Sequence, residues 1–114
     1  MHGWPIVTRM ANDPFRAVAH PIRRRIVERL AHSPATVGVV TRDFGVSKPT
    51  ISKHLKVLES SGVVVRTVTG RTHQLDLNVE PLVEVAEWFN RQRAVWTRMF
   101  DAADDLLSER KERP

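Results

Sequence analysis

The stretch VSKPTISKHLKVLESSGVVV, Val46–Val65, constrains the fold of this chain more than any other. Gly45 ends what precedes it, Ser47 is a helix cap, and Pro49 fits a helix only in its first turn. At about 100° per residue, Leu55 and Leu58 fall within about 40° of Ile51 and form one buried stripe. Lys53, Lys56, Pro49 and Ser60 fall on the opposite side, flanked by Thr50, Ser52 and Val57, with His54 on the shoulder. Gly62 closes this helix, and Val63–Val68 reads as a strand. The fold must therefore hold a short helix with a basic, hydroxylated outer face, joined directly to a strand.

The flanking sequence supplies the other elements. Asp13-Pro14 starts a short helix running to about Ala19. Pro21 opens a second, with Ile22, Ile26, Val27 and Leu30 on one stripe, broken at Ser33-Pro34. Thr36 caps a third, with Val37, Val40 and Phe44 inward. Thr69–Thr72 is a turn, and His73, Leu75 and Leu77 alternate with Gln74 and Asp76 as a half-buried second strand. Residues 81–110 form a long helix free of internal Pro and Gly. Two short helices around Gly45, followed by a hairpin, predict a mainly α fold with a β-hairpin wing, a winged helix-turn-helix. One such domain is expected over residues 13–110, behind a flexible segment at residues 1–12.

The chain has 114 residues, enough for a core without staples, and no Cys, which excludes disulfides, thiolate metal sites and thiol redox chemistry. No apolar run is long enough to span a bilayer and no secretion signal is visible, so a cytoplasmic protein without a membrane partner is expected. Residues 1–79 hold 12 Lys/Arg against 5 Asp/Glu, a net of +7, whereas residues 80–114 hold 6 against 8, a net of −2. A basic body argues for a polyanion partner, set against a merely solubilising surface charge.

In a helix-turn-helix the second helix enters the major groove and its N-terminal residues meet base edges. Lys48, Thr50, Ser52 and Lys53 stand at that end. Lys donates to guanine, hydroxyls donate or accept, and the Thr methyl meets a thymine methyl. The helix start favours a phosphate near Ser47 and Lys48. Lys56 lies a turn farther on, where phosphate is the expected contact. Among Arg23, Arg24 and Arg25, one or two at most are expected near phosphate, because consecutive helical residues diverge.

FRAVAHPIRRRIVERLAHSPATVGVV, followed by VSKPTISKHLKVLESSGVVV and GRTHQLDLN, resembles the ArsR family of winged-helix transcriptional repressors over about residues 14–110. The resemblance implies a homodimer that binds a palindromic operator in double-stranded DNA and often represses its own transcription unit. It implies DNA contacts at Ser47, Lys48, Thr50, Ser52, Lys53 and His54, with Arg71 in the wing. Arg71, at the turn tip, is expected too far from the reading helix to share its groove contacts, and so to meet phosphate or the neighbouring minor groove.

Arsenic- and cadmium-sensing members carry a Cys-x-Cys where this chain has Thr36 and Gly38, and zinc- and nickel-type members place Asp and His pairs on a last helix that here has no His. The chain thus resembles members lacking those metal sites, and no cofactor is expected. Its histidines, at 2, 20, 32, 54 and 73, form no i, i+4 pair. His20 is expected as a cap or packing residue and His73 on the inward strand face. Asp104-Asp105 diverge on a helix, and no catalytic motif occurs, so no enzyme is expected.

On the last helix Val85, Phe89, Gln92, Trp96, Met99, Ala103 and Leu106 step by four and three, an a/d seam widened by Trp88, Val95, Phe100 and Leu107. This is the expected dimer interface, although Trp88, Phe89, Trp96 and Met99 are also compatible with a pocket for a small-molecule effector. A non-specific architectural DNA binder and a winged-helix protein-interaction module remain competing functions.

Overall fold

The computed structural model describes residues 13–112, with side chains described through Arg110. The expected flexible segment at residues 1–12 lies outside them. Helix α1 (Pro14–Ala17) starts where Asp13 accepts the Phe15 N–H at 2.7 Å, with Pro14 in the first turn. It ends two residues earlier than the sequence suggests. Helix α2 (Pro21–His32) is capped by His20, whose Nδ1 accepts the Ile22 N–H at 3.1 Å. Ile26 and Leu30 are buried along its stripe.

Strand β1 (Ala35–Thr36) comes next, then helix α3 (Val37–Phe44), where Thr36 Oγ1 accepts the Val39 N–H at 3.2 Å and Val40 is buried. Gly45 ends α3 at φ 62°, a left-handed conformation in which a Cβ would be strained. Helix α4 (Lys48–Ser60) follows after Gly45, Val46 and Ser47. Strands β2 (Val64–Thr69) and β3 (Thr72–Leu77) form the wing, in register from Val64↔Leu77 to Thr69↔Thr72, with Gly70 at φ 61° in the turn.

The wing holds one strand more than the expected hairpin. β1 pairs with β3 through Ala35↔Leu75 and Thr36↔Gln74, giving the antiparallel order β1-β3-β2. The two residues of β1 are too few to show alternation, and their pairing depends on residues far along the chain.

One core joins these parts. Ile26, Val40, Ile51, Leu55, Leu58, Val63 and Leu75 are fully buried. Each such side chain contributes roughly 1.5–3 kcal/mol of hydrophobic stabilisation, an upper figure because denatured chains are already partly collapsed. Leu55→Ala should therefore cost about 2–5 kcal/mol.

Asn78 links the sheet to the last helix: its N–H donates to Val63 O at 2.8 Å, its Nδ2 to Gly62 O at 3.1 Å, and its Oδ1 accepts the Glu80 N–H at 3.3 Å. Helix α5 spans Glu80–Glu112. The chain divides into two compact units, Met1–Glu84 and Val85–Pro114. Among the described residues no helix is long and apolar enough to cross a membrane.

Candidate nucleic-acid interface

Helix α4 is set by three local devices. Ser47 Oγ accepts the Thr50 N–H at 3.3 Å and lies 2.7 Å from Thr50 Oγ1. Pro49 sits in the first turn, where its missing N–H leaves no bond unmade. Ile51, Leu55 and Leu58, each fully buried, fix the rotation of the helix about its axis. What then faces solvent follows from the period: Ser47, Lys48, Ser52, Lys53 and Lys56 are exposed, and Thr50 is half-buried beside its cap. Among the described residues no ion pair or hydrogen bond engages the side-chain ammonium of Lys48, Lys53 or Lys56, so these charges are free for an outside partner.

His54 does not join that face. It is only 8% exposed, its ring centroid lies 4.3 Å from that of His20, and its Nδ1 lies 3.1 Å from Arg23 Nη1. Arginine has no acceptor, so Nδ1 carries a lone pair and the ring is neutral. Burial, then the charges of His20, Arg23 and Lys53, hold its pKa below the ordinary histidine value. His54, one of the expected DNA contacts, is therefore engaged within the chain, because the shoulder of the wheel faces α1 and α2 rather than solvent.

The Arg23–Arg25 run makes contacts within the chain, Arg23 half-buried and Arg24 and Arg25 exposed. Arg23 donates from Nη2 to Arg16 O at 2.9 Å and from Nε to Ala17 O at 3.2 Å, closing the end of α1. Desolvation, with Arg16 nearby, lowers its pKa. Arg24 Nη1 donates to Val18 O at 2.8 Å, and the Arg25 guanidinium lies 4.6 Å from the centroid of the Phe44 ring. These contacts join helix starts to the ends of other elements, which periodicity along one helix does not reveal.

The wing is anchored to α4 by a pair that sequence reading missed. Arg66 Nε and Nη2 donate to Glu59 Oε1 and Oε2 at 2.8 and 3.0 Å, and Arg66 Nη1 lies 3.1 Å from His73 Nδ1. The hydrogen bond to Glu59 holds the Arg66 guanidinium above its ordinary pKa despite partial desolvation. His73 is half-buried on the face expected for it. Glu59 lies in the last turn of a helix and Arg66 within a strand, so no shared period exposes their meeting. With the wing held there, exposed Arg71 lines the same cleft as Lys48 and Ser52. The hairpin thus lies beside α4, with Arg71, the residue expected to meet phosphate or the neighbouring minor groove, at its tip.

On α5 the seam residues are mostly uncovered. Phe89, Met99 and Leu106 are 47%, 62% and 59% exposed. Ala103 is also exposed, Gln92 and Trp96 are half-exposed, and only Val85 is buried. Trp88, Phe89 and Trp96 meet edge-on, with centroids 5.2–5.6 Å apart. Asp104 and Asp105 are solvated. Among the described residues no group of three or more His, Asp or Glu converges as metal ligands would.

A helix-turn-helix domain family matches residues 18–67, which run from the end of α1 into the wing. The HTH-type transcriptional regulator Rv2034 of Mycobacterium tuberculosis is 46% identical over 70 residues, covering 60% of this chain and 65% of that protein, so the match spans just under two thirds of the relative's length. The transcriptional repressor SdpR of Bacillus subtilis is 32% identical over 77 residues, covering 68% of this chain and 86% of the repressor. Among solved structures, an ArsR family transcriptional regulator superposes with a TM-score of 0.66 at 34% identity, over 73% of this chain and 91% of that one. A possible transcriptional regulator for arsenical resistance superposes with a TM-score of 0.68 at 29% identity, over 85% and 95% of the two chains. These relatives are regulators rather than enzymes, and their agreement with the capped α3–α4 pair and its wing leads to one assignment: the chain belongs to the ArsR family of winged-helix transcriptional regulators.

Proposed function

We propose that the protein is a homodimeric, sequence-specific repressor that reads a palindromic operator with the N-terminal half of α4. The observation that carries this reading is the division of α4 into two faces. Ile51, Leu55 and Leu58 are fully buried, while Lys48, Ser52 and Lys53 project outward, their side chains without hydrogen-bond or ion-pair partners among the described residues. A surface built to bind another protein would present apolar anchors there instead. In this reading Ser47, Lys48, Thr50, Ser52 and Lys53 meet base edges or the adjoining phosphate, and Lys56 and Arg71 hold the backbone.

The two units act as one DNA-binding protein, with α5 pairing against its counterpart in a second copy. The support is the uncovered stripe of Phe89, Met99 and Leu106 on a helix otherwise rich in charge. Pairing α5 brings two reading helices into a two-fold relation, which a palindrome matches. A DNA partner places the protein in the cytoplasm.

In vitro selection of duplex sites by the purified protein tests the function. The expected result is an inverted repeat bound on the order of a thousandfold more tightly than random DNA. Binding that ignores sequence would instead make this an architectural DNA binder, and no DNA binding at all would leave the protein-interaction module.

A further inference from the structure

A cleft of about 720 Å³ lies between α3, the start of α4 and the tip of the wing. Arg42 lines it from the last turn of α3, Lys48 and Ser52 from α4, and Arg71 from the wing turn. Arg66 also borders it, but its charge is matched by Glu59 at 2.8 Å. Among the described residues Arg42, Lys48 and Arg71 have no ion pair, and no carboxylate lines the cleft. Three unneutralised cations from three separate elements thus face one concave surface, where they repel one another until a polyanion enters.

We propose that this cleft seats the DNA backbone, and that Arg42 is a phosphate contact within it. The inference rests on the DNA-binding reading above and extends it to a residue outside the reading helix. Arg42 differs from the other arginines of this unit that precede it in α2. Arg23, Arg24 and Arg25 are spent on carbonyls or an aromatic face and Arg29 on Ser33 and Asp43, whereas Arg42 is exposed and unengaged. Its position also suits the task. The first helix of a helix-turn-helix crosses the backbone while the second enters the groove. A strand lying against Lys48 at the start of α4 is then bracketed by Arg42 on one wall and Arg71 on the other. Thr72 and Ser52 add hydroxyl donors along the same path.

The test is binding to a random-sequence duplex across a salt series, for wild type, Arg42→Ala, Arg42→Lys, Arg71→Ala and the Arg42→Ala, Arg71→Ala double variant. Each lost phosphate contact should lower the slope of log affinity against log salt by about one unit. Arg42→Ala should lower it by that amount, Arg42→Lys should restore it, and the double variant should lose about two units. The melting temperature of Arg42→Ala should stay at the wild-type value, since its side chain makes no hydrogen bond or ion pair among the described residues, whereas a merely structural role would move melting and leave the slope. An unchanged slope in Arg42→Ala overturns the inference. If Arg71→Ala still lowers the slope in that case, the DNA-binding reading survives it; if wild type shows no salt-dependent DNA binding, both fall.

Discussion

Arg23 Nη1 and His54 Nδ1 lie 3.1 Å apart, joining the start of α2 to the centre of α4 across 31 residues of sequence. The bond exists only while His54 is neutral, since a protonated ring has no lone pair to offer. Its folded pKa is depressed, so the unfolded chain takes up a proton that the folded chain resists. The resulting stability is fully present above the unfolded histidine pKa of about 6.5 and is lost as pH falls below it toward the folded value. Denaturant unfolding between about pH 7.5 and 5 should show this loss, and His54→Gln should flatten it. An identical pH profile in that variant contradicts the account.

The Glu59–Arg66 pair is bidentate, but both side chains remain over a quarter exposed, so its contribution is small. A double-mutant cycle with Glu59→Gln and Arg66→Gln should give a coupling of about 0.5–1 kcal/mol. Because the pair fixes the wing against α4, Glu59→Gln should also weaken binding to all DNA sequences alike. Weakening confined to the preferred sequence contradicts the positioning role.

Much of this arrangement is legible from the sequence, for a physical reason. Ser47, Gly45 and the Ile51–Leu55–Leu58 stripe act within a turn or two of themselves, so local rules place α4 and its outer face. What escapes is set by residues distant in the chain. Ala35–Thr36 becomes a strand only because Leu75 and Gln74 lie opposite. His54 turns inward because Arg23 and His20 wait there. Arg42 gains its place only once the wing folds back beside α3.

Trp96 and Met99 occupy the uncovered stripe of α5, and a carboxylate buried at a paired apolar seam is strongly unfavourable. The Trp96→Asp, Met99→Asp double variant should sediment as a monomer and lose tight DNA binding, while circular dichroism retains the helix content. A dimer unaffected by both substitutions would place the interface elsewhere.

His20, His54 and His73 are each engaged through Nδ1 within the chain, and the chain has no Cys. Zinc needs three or four convergent ligands, and soft ions such as cadmium or arsenite favour thiolates. Micromolar zinc, cadmium or arsenite should therefore leave the DNA complex intact in a mobility-shift assay. Release by any of them, reversed by a chelator, would contradict this.

The central claim is that α4 reads sequence, and the most direct measurement compares Thr50→Ala and Lys53→Ala with wild type on the selected site and on random DNA at two salt concentrations. Each substitution should cost about 1–3 kcal/mol on the selected site and little on random DNA, whereas Lys56→Ala should weaken both alike and lower the salt slope by about one unit. Equal losses on both DNAs for Thr50→Ala and Lys53→Ala would contradict the reading role of α4.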